Sequence, residues 1–124
     1  MPAQKPEDAD LMIAKAISAW DVDAAATLYE PDAIFIPEPG KVITGLDGIR
    51  QMMTEFVALK PTLTITVDNV AQTGDLALLS SSWTLTGMGP DGSAVNMSGK
   101  GAEVVRRQAD GTWLFVIDNP NSGG

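Results

Sequence analysis

The sequence predicts an α+β fold, an antiparallel sheet that carries helices on one face. Three observations point there. Apolar residues recur at helical spacing before Pro61, they alternate with polar residues after it, and short turn signals join the alternating stretches. Strong alternation suits a sheet with one covered and one wetter face.

Residues 1–6, with Pro2 and Pro6 among polar neighbours, read as a loose arm on a single domain spanning 1–124. From Glu7 the pattern is helical: Ile13, Ile17 and Trp20 recur at i, i+4 and i+7. Asp21 can cap a second helix, "VDAAATLYE", which Pro31 stops. "AIFI" (33–36) and "KVIT" (41–44) read as short strands around the turn "PEPG". A third helix follows, with Asp47 as N-cap, Ile49, Met53 and Phe56 on one face, and Pro61 as its end. Strands then run through Leu63–Val67, Ala77–Thr86, a long stretch to about Arg107, and from Trp113, turning at Gly74-Asp75, "GPDG" and "ADGT".

Composition removes several functions. With 16 acids against 8 bases the net charge is −8, which repels phosphate backbones and argues against nucleic acid as a partner. No apolar run is long enough to cross a bilayer, and the first residues lack the pattern of a signal peptide, so a cytoplasmic protein is expected. Zero cysteine and zero histidine remove thiolates, the commonest metal ligand and the usual general base. No metal or other cofactor is expected, and any proton transfer falls to Asp, Glu, Tyr, Lys or water.

The stretches "WDVDAAATLYEPDAIFIPEPG", "ITGLDGIRQMM" and "DGTWLFVIDNPN", in that order and spacing, resemble the NTF2-like superfamily in its SnoaL-like, ketosteroid-isomerase-like or DUF4440 branch. The resemblance covers roughly residues 8–120. It implies a curved sheet wrapped around the N-terminal helices as a cone, a central pocket for a small apolar ligand, and a homodimer. The family's isomerase residues carry over unevenly. The proton-shuttling acid falls on Pro37, with Glu38 one step along, the phenolic donor near Ile13, and the protonated-acid donor near Glu103, so only one position of three keeps a suitable group.

Strand phase makes an independent case for Glu103. It shares the face of Val95, Met97 and Val105 unless a bulge at Gly99 or Gly101 intervenes. Treating Asp110-Gly111 as a two-residue turn pairs Arg107 with Leu114, Val105 with Val116, and Glu103 with Asp118. Two opposed carboxyls in an apolar site cannot both ionise cheaply, so one would donate and the other accept. Alternatively, Asp118 accepts backbone N–H groups at the strand end, and Glu103 pairs with Arg107.

Trp20, Phe35, Met52, Met53, Phe56, Trp83 and Trp113 are core residues first. Trp20, Trp83, Met53 and Phe56, with Tyr29 and Asn119, are the candidate ligand contacts beside the candidate catalytic pair Asp118 and Glu103. Arg106 or Arg107 would hold an anion if either does. Two functions follow: a non-catalytic ligand-binding or dimerisation module, which the missing isomerase groups favour, and a histidine-free acid/base enzyme working on a small apolar or carbonyl substrate.

Overall fold

The computed structural model describes residues 3–122. Helices α1 (Asp8–Ser18) and α2 (Val22–Ala26) precede strands β1 (Tyr29–Glu38) and β2 (Lys41–Thr44). Helix α3 (Leu46–Val57) then leads into β3 (Thr62–Thr73), β4 (Leu76–Met88), β5 (Ala94–Arg107) and β6 (Trp113–Asn119). The six strands form one open sheet in the order β2-β1-β6-β5-β4-β3, so the last strand lies near its middle, as expected. Neighbours run antiparallel except β1 and β6, which run parallel and bring the first strand beside the last.

Apolar burial drives the assembly. Leu79, Val105 and Phe115 are fully buried on the inner face of the sheet, packed in one core with Ile13 and Ile17 of α1 and Ile49 and Met53 of α3. Register shifts after Val67 in β3 and between Phe115 and Ile117 in β6 add the bend that curves the sheet around the helices. Among the described residues no helix is long and apolar enough to cross a membrane.

Several elements differ from expectation for identifiable reasons. Residues 1 and 2 of the expected loose arm lie outside the described residues; from Ala3 the segment is docked. Ala3 is buried and its carbonyl accepts the Trp113 N–H at 3.1 Å. Asp21 does cap α2, accepting the Ala24 N–H at 3.0 Å, but that helix stops at Ala26. The Leu28 carbonyl is claimed by the Phe115 N–H at 2.8 Å, so Tyr29 begins a strand. Gly45, at φ +90°, precedes α3, and Asp47 sits in its first turn instead of capping it.

Trp20 is 51% exposed, not core. Helix α1 ends two residues earlier, with the Trp20 N–H on the Ile17 carbonyl and the Asp21 N–H on the Ala16 carbonyl. This is the paired closure that needs a left-handed residue, and Trp20 supplies it at φ +59°. Its side chain is carried off the helical stripe and donates from Nε1 to the Pro61 carbonyl at 3.0 Å.

Candidate functional site

Four inner-face positions and one helix turn build the site. On β4, Leu79, Ser81, Trp83 and Leu85 are in phase, and Ser81 stands opposite Gly101 of β5. On β5 the register against β4 is continuous through Gly99 and Gly101, so no bulge intervenes and Glu103 stays on the buried side. On β6, strict alternation from Trp113 and Phe115 would put Ile117 inside and Asp118 outside. The extra residue Val116 reverses that phase, and Asp118 turns into the core opposite Glu103 and Phe35.

The pairing of Glu103 with Asp118 is therefore present, although the turn differs from the two-residue one expected. The chain closes over Gln108–Thr112, pairing Arg107 with Trp113 and Val105 with Phe115. The bulge then restores the register.

These residues meet at a cavity of about 180 Å³ whose walls are mainly apolar, among them Met52, Met53, Phe56, Leu63, Ile65 and Trp83. Asp10 of α1 reaches the same cavity, where it is 1% exposed beside Glu103 at 3%. The Tyr29 hydroxyl donates to Asp118 Oδ2 at 2.5 Å, and Ser81 Oγ donates to Glu103 Oε2 at 3.2 Å.

Burial pushes the Glu103 carboxyl up to about 10, helped by the hydrogen bond to Asp10 and by the charges of Asp10 and Asp118. Asp10 is raised by burial too, and the bond to Glu103 partly offsets this. Glu103 consequently keeps its proton at neutral pH. Asp118 is raised to about 7, by burial first; the Tyr29 hydrogen bond pulls it down and the Asp10 charge pushes it up. Burial and the Asp118 carboxylate lift the Tyr29 hydroxyl well above the ordinary phenol range, so it remains a donor.

Met53, Phe56, Trp83 and Tyr29 line the cavity; Trp20 and Asn119 do not. The Asn119 Oδ1 instead accepts the Asn121 N–H at 3.1 Å in a tight turn, and this aims Asn121 and Pro120 at the cavity mouth. Two further bonds hold that strap: Asn121 Nδ2 donates to the Pro37 carbonyl at 2.9 Å, and Trp83 Nε1 to the Pro120 carbonyl at 2.8 Å. Ile13 and Pro37 line the cavity without adding a polar group. Neither Arg106 nor Arg107 faces it. Arg106 pairs with Glu30 at 3.0 Å and Arg107 with Asp75 at 2.5 Å.

Sequence reasoning missed Asp10, Ser81 and Gly101. Asp10 had a signal, since it precedes Ile13 by three and Ile17 by seven on the buried stripe of α1. Gly101 leaves the space that the Ser81–Glu103 bond occupies; a Cβ there would lie 2.7 Å from Ser81 Oγ and closer still to Glu103 Oε2.

The sequence matches the SnoaL-like domain over residues 10–116. No curated protein matches it significantly. Among solved structures, a ketosteroid isomerase-like protein from Erwinia carotovora atroseptica is similar with a TM-score of 0.80 at 19% identity, over 92% of this chain and 90% of the other. A candidate dehydratase of the NTF2-like family from Streptomyces avermitilis gives 0.77 at 17%, over 93% and 96%. A candidate aromatic ring hydroxylase from Novosphingobium aromaticivorans gives 0.76 at 26%, over 93% and 84%. Three chemistries are named on one backbone, so the likeness speaks to fold and leaves activity to the site. With that match across most of its length, the chain belongs to the SnoaL-like domain family, and it shares the fold of the NTF2-like structures.

Proposed function

We propose that the chain is a small-molecule pocket protein in which Asp118 exchanges a proton with a bound, largely apolar substrate, as an isomerase or dehydratase does. One observation carries this reading. Asp118, raised to about 7 and held by the Tyr29 hydroxyl, sits in an apolar cavity beside an acid that keeps its proton. A carboxyl half-ionised near neutral pH serves as general base without histidine, and Glu103 is the neighbouring acid that can return a proton. The base takes a proton from carbon and delivers it elsewhere on the same molecule, or an acid protonates a departing hydroxyl, so each step closes without an oxidant or reductant.

Deuterium incorporation into small cyclic ketones in D2O, followed by NMR, tests this. The wild type is expected to exchange their α-protons faster than buffer does, and a folded Asp118→Asn variant to match buffer. Equal rates for both proteins would defeat the reading. A second reading, a non-catalytic ligand-binding module, draws support from Ile13 and Pro37, which stand where the isomerases carry reacting groups.

Pairing of two copies through the outer sheet face belongs to the same proposal. Ile34, Ile117, Val104 and Leu78 form an apolar row across four strands there, and Leu78 is exposed. Light scattering should give about twice the 13.0 kDa chain mass; a monomer mass at all concentrations would contradict it.

A further inference from the structure

The cavity has a closed end and an open one. Asp10, Glu103 and Asp118 are buried at the closed end, whereas Trp83 is half-buried and Met97 is 40% exposed at the mouth. Between them the β5 wall is bare. Met97, Gly99, Gly101 and Glu103 are in phase on the inner face, and the two glycines present no side chain there. Strand β4 fills both gaps. The Ser81 hydroxyl occupies the one at Gly101, and the Trp83 indole lies over its pairing partner Gly99.

The fit over Gly99 is close. A Cβ there would lie 3.0 Å from Trp83 Cζ2 and 3.2 Å from Nε1, so even alanine would push the ring aside. The same Nε1 donates to the Pro120 carbonyl at 2.8 Å, which fixes the rotation of the ring and ties it to the strap that follows β6. Swinging the indole out would break that bond and leave the Gly99 backbone uncovered. Volume gives the consequence. A dry cavity of about 150 Å³ accommodates benzene, and this one is about 180 Å³. The excess is about one water's share of the liquid. A second fused ring has space only where the indole now lies.

We propose that Trp83 is the specificity-determining residue of the cavity: its indole, filling the bare trough of β5 over Gly99, restricts ligands to a single ring. The polar end of the ligand meets the acids at the closed end, and its apolar body points outward to Trp83. Length in that direction is what the residue senses. This inference rests on the reading of the cavity as a small-molecule site and adds the size of its ligand.

Cyclohexanone and 2-decalone test it, since they share a carbonyl and differ by one fused ring. Titrating each into protein carbon-13 labelled at the methionine methyls reads binding at Met52 and Met53 in the cavity wall, independently of turnover. The wild type is expected to bind cyclohexanone at least about tenfold more tightly than 2-decalone. Trp83→Ala should bind 2-decalone at least about tenfold more tightly than the wild type does. If that variant fails to fold, Trp83→Leu keeps apolar bulk at the mouth, removes the fused ring and gives the same readout. Wild-type binding of 2-decalone as tight as that of cyclohexanone overturns the size limit. So does a 2-decalone affinity that neither substitution raises, or no binding of either ketone at millimolar concentration. An equal gain in Leu85→Ala, which cuts β4 one inner position further out, would mean that any loosening of the wall enlarges the cavity, and would overturn the assignment to Trp83. Exchange of the cyclohexanone α-protons is read on the same samples. A size limit in binding without exchange would uphold this inference and defeat proton transfer. Asp118-dependent exchange with no change of size preference at Trp83 would do the reverse.

Discussion

The Tyr29 hydroxyl donates to Asp118 Oδ2 at 2.5 Å, joining the first residue of β1 to the next-to-last residue of β6 through the parallel pair of the sheet. Buried phenol and buried carboxyl restrain each other: the phenol keeps its proton, and the carboxylate gains a donor that holds it near 7 against desolvation. Tyr29→Phe removes that donor. A charge-assisted bond contributes about 1.5–3 kcal/mol, so the Asp118 midpoint should climb by roughly one to two units. Carbon-13 NMR of the labelled carboxyl reads the shift directly, and an unmoved midpoint would mean that the bond does not form in solution.

The cavity acids make stability fall with pH. Glu103 has a folded value of about 10 against an ordinary 4.5, and Asp118 about 7 against 3.8. Their favourable contribution is complete below the unfolded values and is lost as pH rises through the folded ones, because the folded state holds protons that the unfolded chain has released. The wild type should therefore be more stable to urea at pH 5 than at pH 8. Glu103→Gln removes one such group, so its stability relative to wild type should improve with pH, by up to about 1.4 kcal/mol per unit. A constant difference at both pH values would contradict this.

Gly101→Ala should disturb the site through space alone. Its Cβ would crowd both Ser81 Oγ and Glu103 Oε2, neither of which has room to retreat in the buried sheet. A cost of about 1–3 kcal/mol is expected, as for overpacking. Gly111→Ala, with open space around it, should cost less and spare the cavity, though its φ of +85° still adds strain. Denaturation of both variants checks the contrast.

Much of this arrangement is legible in the sequence, and the exceptions have physical causes. The change of period at Pro61 locates β3 to β6, because alternation survives wherever one face is covered. The opposition of Glu103 and Asp118 is legible only through two compensating departures: the turn over Gln108–Thr112 moves the register by one, and Val116 moves it back. A bulge leaves no mark in the sequence, and without it Asp118 would face outward. Trp20 escapes its expected place because helical spacing continues in the letters after the backbone has turned left-handed. Asn119 and Asn121 are equal candidates for a ligand contact in the sequence, and only Asn121 lines the cavity, a distinction that depends on which amide closes the terminal turn.

Asn121→Ala loses both bonds from its side-chain amide to the carbonyls of Ile36 and Pro37. The strap is partly exposed, so global stability should drop by less than about 1 kcal/mol. Exchange of a bound ligand should quicken more visibly than its affinity changes, since the strap covers the mouth. Stopped-flow release of a fluorescent aromatic ligand separates the two, and an unchanged off-rate would remove the strap from the binding event.

Titration of Asp118 in the folded wild type, with its carboxyl carbon assigned through Asp118→Asn, decides whether the cavity holds an acid poised near neutral pH. A midpoint near 7 is expected, shifting upward in Tyr29→Phe and coupled to the state of Asp10. A midpoint near the ordinary 3.8, unaffected by either neighbour, would contradict the account: Asp118 would then be a solvated strand end, and the cavity would hold no acid poised to move a proton.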